Sequence, residues 1–200
     1  MTRSSASGRT TANYAKLNFP FLTPAEFSEA CESFLPRLHH SGITSRLLPS
    51  TEKDLFDGIE TTTVREHHNV SVTTKAFVLL SPIYSLPVLY FSSTYANLHT
   101  GESTPITLVE DVYKYVVANP SQISILREPT IPAVSWSGAI SQCEHPLYHD
   151  LLCFYIHPCR TSDVMNTLNE DPEIPGITLQ SYLALWIGVF GPTVGIAVRE

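Results

Sequence analysis

The sequence predicts an α+β fold, a meander of antiparallel strands set among helices. Three observations carry that prediction. A capped run with apolar residues at helical spacing opens at residue 23, and a block of β-branched and aromatic residues broken by short turns fills residues 58–91. A strand-like run at 151–157 is then followed by two more helical patterns.

In chain order, residues 1–13 are rich in Ser, Thr and Arg with almost nothing to bury, so they read as a disordered leader before a single domain spanning 14–200. Thr23-Pro24-Ala25-Glu26 forms a capping box with proline at the first helical position. Phe27, Ala30, Cys31, Phe34, Leu35 and Leu38 then paint one helical face, which should end near Gly42. Residues 61–64, 70–80 and 86–91 read as two or three strands, separated by turn chemistry at His67-His68-Asn69 and Ser81-Pro82. Links this short favour antiparallel pairing, and the strand near residues 70–80 is expected to lie at an edge, open to a partner strand.

Residues 92–106 read as a loop. Thr107-Leu108-Val109-Glu110 offers a second capping box for a short helix to about Val117, stopped by Asn119-Pro120. Residues 128–141, with Pro129 and Pro132, should be extended and irregular. Residues 151–157 are dense in strand formers, and Thr161 or Ser162 can cap a helix to about Leu168. A final helix is predicted from Leu179 to Phe190, with Leu179, Tyr182, Leu183, Trp186, Ile187 and Phe190 on one side and Gly191-Pro192 at its end. Residues 181–198 carry no charge and approach the length of a membrane span. Gly188, Gly191, Pro192 and Gly195 instead favour a buried helix plus turn, with no stable membrane insertion expected.

The chain has 200 residues, 43% hydrophobic and 16% charged, enough for one ordinary core. Its net charge of -7 and scattered basic residues speak against a nucleic-acid partner, since phosphate binding needs a clustered basic face. The four cysteines form no small secreted framework, and nothing near the start resembles the apolar core of a signal peptide, so a reducing compartment is expected.

Candidate chemistry gathers between residues 143 and 159, where Cys143, His145, His149, Cys153, His157 and Cys159 fall in a short span. Zinc is the tempting reading, but no two cysteines show knuckle spacing. On a strand, Cys153 and His157 would share a face while standing about 13 Å apart, at ~3.3 Å per residue. No metal site is assigned. Cys31 sits on the apolar stripe of the first helix and reads as a core thiol. Cys159 differs: it follows a proline at the end of a strand and precedes a helix start, where backbone N–H groups, the helix dipole and Arg160 favour a thiolate. Pro158 restricts His157 and fixes its own φ, so the loop holds the thiol in a defined pose. A buried small side chain is the competing reading of Cys159. His157, two residues away across a proline, is awkwardly placed to act as its base, and hydrogen bonding within the loop suits it better.

Several segments in order carry a family resemblance: Pro87-Val88-Leu89-Tyr90-Phe91, Ile140-Ser141-Gln142, Glu144-His145-Pro146, His157-Pro158-Cys159-Arg160-Thr161, Trp186-Ile187-Gly188 and Gly191-Pro192-Thr193-Val194-Gly195. Across residues 14–196 the sequence resembles the autophagy-related protein ten family, the E2-like enzymes of the ubiquitin-like autophagy conjugation system. A sister family, autophagy-related protein three, shares His-Pro-Cys but has a long acidic insertion and a C-terminal extension not visible here.

The resemblance implies an E2-like core with a four-stranded antiparallel sheet flanked by helices. It implies Cys159 as the catalytic thiol, with His157, Pro158 and Thr161 supporting the loop and Tyr90 and Gln142 as candidates to orient the reacting groups. By the same resemblance the thiol takes the C-terminal glycine of the modifier, autophagy-related protein twelve, from an E1-like enzyme, autophagy-related protein seven. It then passes the modifier to a lysine of autophagy-related protein five. ATP is spent upstream, so no cofactor and no phosphate-cradling loop are expected, and the expected location is cytoplasmic, with recruitment to sites of autophagosome formation. The His-Pro-Asn triplet of ordinary ubiquitin E2 enzymes is missing, so no oxyanion asparagine is carried over. The alternatives are a noncatalytic adaptor on the same fold and a zinc module.

Overall fold

The computed structural model describes residues 18–52, 55–67, 69–117, 140–171 and 176–198. The expected leader at 1–13, the Asn119-Pro120 stop and most of the irregular stretch from residue 128 lie outside the described residues.

Helix α1 (Pro24–His40) begins as its sequence dictates. The Glu26 amide donates to Thr23 Oγ1, and the Thr23 amide donates to Glu26 Oε2 at 2.8 Å, so two otherwise unpaired donors are satisfied reciprocally. Phe27, Ala30, Cys31, Phe34 and Leu38 are buried along one face. Gly42, just beyond the end, takes a left-handed φ of 74°. Ser28 is also buried, its hydroxyl accepting the Phe56 amide and tying the helix to the sheet.

The chain then runs through β1 (Thr44–Pro49), β2 (Phe56–His67), β3 (Val70–Leu80) and β4 (Pro87–Asn97) as an antiparallel meander. After β5 (Ser103–Pro105), β6 (Ile140–Glu144) and β7 (Leu152–Ile156) form a hairpin. The sheet order is β1-β2-β3-β4-β7-β6. Strand β4 divides its free edge: Tyr90 and Phe91 pair with Tyr155 and Phe154 of β7, while Thr94 to Ala96 pair with β5.

The fold class is α+β with an antiparallel sheet, but the sheet is wider than the four strands expected. Three short strands account for the difference. β1 and β6 are edge strands with no clean alternation of apolar and polar residues, and β5, together with the second half of β4, occupies residues expected to form a loop. β3 is correspondingly not an edge strand, because β2 and β4 flank it.

One face of the sheet packs against the helices. Ile59, Val78, Leu89, Phe91, Phe154 and Ile156 meet the buried face of α1 and of α4 (Leu179–Phe190) in the main core. α4 forms with the predicted bounds and the predicted buried face, and a capping box between Thr178 and Ser181 starts it. A 3-10 turn over Gly191–Val194 follows, closed by Gly195 at φ 80°. No helix among the described residues is long and apolar enough to cross a membrane.

The opposite face carries a smaller cluster of Leu48, Phe77 and Leu79, packed by Tyr90 and by Leu151 from the β6–β7 connection. Two short helices depart from expectation. α2 (Val109–Asp111), continued by a π turn over Val112–Val116, has Leu108 rather than Thr107 at its N-cap and no side-chain cap. α3 (Thr161–Glu170) is entered directly from a 3-10 turn over Pro158–Arg160, so Thr161 already has helical φ/ψ and caps nothing.

Candidate active site

Strand β7 delivers the site. Its alternation sends Phe154 and Ile156 into the main core and Cys153 and Tyr155 to the opposite face, which fixes the orientation of the chain as it leaves the sheet at His157. His157 is still extended, at φ -64° and ψ 127°, as a residue before proline should be. Pro158 then opens the 3-10 turn at a position where its missing N–H leaves no donor unsatisfied.

The next amide belongs to Cys159, and it donates to Nδ1 of His157 at 3.1 Å. His157 therefore serves as the side-chain cap of the turn. With Nδ1 accepting, the neutral ring carries its proton on Nε2, and Nδ1 is not free to take a proton from the neighbouring thiol. The arrangement explains the His-Pro-Cys order physically: an acceptor, a rigid donorless residue, then the residue whose amide is captured.

Cys159 itself is exposed, whereas Cys31 and Cys153 are buried and Cys143 is partly so. Burial pushes the Cys31 and Cys153 thiols far up from the ordinary range, and it pushes Cys143 up as well. Among the described residues, no side chain hydrogen-bonds the Cys159 thiol. Pro158, the residue before it, is buried, and Thr161 is buried at 2% exposure as the first residue of α3. The side chain of Arg160 lies outside the described residues.

The loop is flanked by aromatic rings. The His157 ring stands 6.1 Å from that of Tyr84 and 6.0 Å from that of Tyr155. Tyr155 is the cross-strand partner of Tyr90, with ring centres 5.9 Å apart. Tyr90 thus reaches the cysteine loop through Tyr155 and His157 rather than directly. It is half-buried, lines a cavity of about 360 Å³ with Leu79, Pro82 and Leu147, and has its phenol pushed up to about 12, first by burial and then by Cys143. Gln142 sits on edge strand β6 and donates from Nε2 to the Thr107 carbonyl at 2.9 Å, which anchors that strand to the segment before α2.

The six cysteines and histidines do not gather into one cluster, although Cys143 and Cys153 meet across the β6–β7 pair. His145 is fully buried, 4.3 Å from the Phe77 ring centre, with Nδ1 accepting the Leu147 and Tyr148 amides. His149 is exposed and pairs with Glu144. Among the described residues no group of three or more His, Cys, Asp or Glu is placed to hold a metal ion. Tyr84 and Tyr155 escaped the reading from sequence. The Ser81-Pro82 turn was visible, but nothing local indicates that Tyr84 in that turn would come to rest beside His157 some seventy residues later.

The site can present one accessible thiol on a turn whose backbone is capped and whose base is packed. Curated relatives resemble part of this sequence. The ubiquitin-like-conjugating enzyme ATG10 of Homo sapiens is 29% identical over 119 residues, 60% of this chain and 47% of its own length. That of Arabidopsis thaliana is 32% identical over 123 residues, 60% of this chain and 48% of its own length. The Schizosaccharomyces pombe enzyme of the same name is 29% identical, covering 60% of this chain and 54% of its own. The chain spans about half the length of the curated relatives it matches. The solution structure of KmAtg10 aligns with 90% of this chain and 99% of its own, at 15% identity and a TM-score of 0.48. Residues 48–199, which include every element from β2 to the C-terminal turn and the whole Cys159 loop, match the description "Autophagocytosis associated protein, active-site domain", and the chain belongs to that family.

Proposed function

We propose that the protein is an E2-like transferase that carries a ubiquitin-like modifier as a thioester on Cys159. The observation behind this reading is the exposed Cys159 thiol on the His157-capped turn, in a chain whose other three cysteines are wholly or partly buried. Thioester exchange asks for an accessible thiolate held in one pose, and aminolysis asks that a lysine be brought to the carbonyl. A histidine acting as base toward water would favour hydrolysis of the stored acyl group. Engaging His157 Nδ1 in the turn removes it from that role.

On this reading the modifier is autophagy-related protein twelve, delivered by the E1-like autophagy-related protein seven, and the acceptor is a lysine of autophagy-related protein five. The work would take place in the cytoplasm, at sites of autophagosome formation. Cys159 is the catalytic residue. His157, Pro158 and Thr161 hold the loop, Tyr90 supports it through Tyr155, and Gln142 steadies edge strand β6.

The test is a charging reaction with E1-like enzyme, ATP and modifier. A thiol-sensitive adduct is expected on the intact protein, with none, or a thiol-resistant ester, on Cys159→Ser. An adduct that survives Cys159→Ala with its thiol sensitivity unchanged would overturn the assignment.

A further inference from the structure

The acyl-transfer reading leaves one sulfur pair unused. Cys143 on β6 and Cys153 on β7 are direct cross-strand partners, both are free thiols, and their Sγ atoms lie 3.6 Å apart. Directly opposed residues of an antiparallel pair have Cα atoms about 4.5 or 5.5 Å apart, depending on the type of pair. Both values fall within the ~4.4–6.8 Å that a disulfide spans. The register therefore meets the Cα spacing a disulfide requires, with the sulfurs already 3.6 Å apart.

The two thiols are not equivalent. Cys153 is fully buried, while Cys143 on the edge strand is partly exposed, so a small reagent in solvent meets Cys143 first. Cys159 lies beyond the end of β7 on the exposed turn, apart from this ladder.

We propose that Cys143 and Cys153 form a redox-modification site that closes to a cross-strand disulfide when a peroxide oxidises Cys143. The Cys143 thiolate attacks one peroxide oxygen and the O–O bond breaks, leaving a sulfenic acid and releasing, with the thiol's proton, one water. Cys153 sulfur then attacks Cys143 sulfur, the S–O bond breaks, and the departing hydroxide leaves as a second water with the Cys153 proton. Two thiols give up two electrons and one peroxide is reduced to two waters, so the step balances. Burial holds both thiols in the protonated form, which makes closure slow at neutral pH and faster as pH rises. Once formed, the link fastens edge strand β6 to the strand that carries the Cys159 loop.

The full chain is treated with hydrogen peroxide, its remaining thiols are blocked, and it is digested without reductant for mass analysis. The expected product is a peptide pair joined through Cys143 and Cys153, two hydrogens lighter than its reduced parts and separated again by dithiothreitol. The link should be absent from Cys143→Ser, retained in Cys159→Ser, and formed on the order of tenfold faster per pH unit while the thiols stay mostly protonated. Peroxide that oxidises Cys159 while leaving Cys143 unlinked would overturn the proposal, as would a link from either cysteine to Cys159. Neither result bears on acyl transfer, because the measurement needs no modifier and no E1-like enzyme.

Discussion

Replacing His157 with alanine removes the acceptor of the Cys159 amide while leaving the thiol in place. Loss of a side-chain cap costs about 1 kcal/mol, within a range of roughly 0.5–2. If the capped turn is the form that accepts the modifier, that cost reduces its population and slows charging about fivefold. His157→Asn distinguishes the cause. Its side-chain oxygen can accept from the amide two residues on, as asparagine does at helix starts, but it cannot serve as a base. Initial rates of thioester formation, measured with limiting enzyme across pH 6–9, should therefore fall in His157→Ala and recover most of the loss in His157→Asn. Hydrogen exchange at the Cys159 amide should follow the same order, faster in the alanine variant and near the parent rate in the asparagine variant. A capping role for His157 is ruled out if His157→Asn charges as slowly as His157→Ala while its Cys159 amide is protected, since the ring would then be needed for proton transfer and not for the turn.

Four further outcomes follow from the packing. Trp186→Ala, at a position 1% exposed in the main core, should lower unfolding free energy by roughly 3–5 kcal/mol in a denaturant titration. Thr23→Ala breaks the capping box of α1 and should cost about 1 kcal/mol in the same titration. Gly58→Ala should destabilise by on the order of 1–3 kcal/mol, because a Cβ there would run into the Val78 carbonyl across the β2–β3 ladder. Burial lowers the His145 pKa, so its contribution is fully present above the unfolded value of about 6.5 and is lost as pH falls below it toward the folded value. His145→Asn, which keeps an acceptor for the Leu147 and Tyr148 amides, should lose less stability than the parent between pH 7.5 and 5.5.

What the sequence revealed of the fold follows the range of the interactions that decide each element. α1 and α4 are set by neighbours within four residues, through capping boxes and apolar faces at helical spacing, and both form where those local signals place them. β3 and β4 announce themselves by β-branched and aromatic density. β1 and β6 do not, because Thr44–Pro49 and Ile140–Glu144 become strands through pairing with β2 and β7 rather than through any pattern of their own. The edge assigned to β3 fails because the strands before and after it in the chain, β2 and β4, both pair with it along its length. The competing caps fail differently. Thr161 loses its role because the turn begun at Pro158 has already entered helical geometry before the chain reaches it.

The candidate site divides along the same line. The His157-Pro158-Cys159 turn is closed by a hydrogen bond between residues two apart, so its order is readable in the sequence. The difference between Cys153 and Cys159 is not. Alternation on β7 places Cys153 opposite the core-facing Phe154 and Ile156, on the side a two-layer fold would leave to solvent. It is nevertheless fully buried on the face where the β6–β7 connection lays His145, Tyr148 and Leu151 across Phe77, Leu79 and Tyr90. That covering removes one thiol of the segment from chemistry with a large partner and pairs it with Cys143, while Cys159, six residues on, escapes it by standing past the end of the strand. The selection of one cysteine for an outside reaction is thus made by what covers the far face of the sheet.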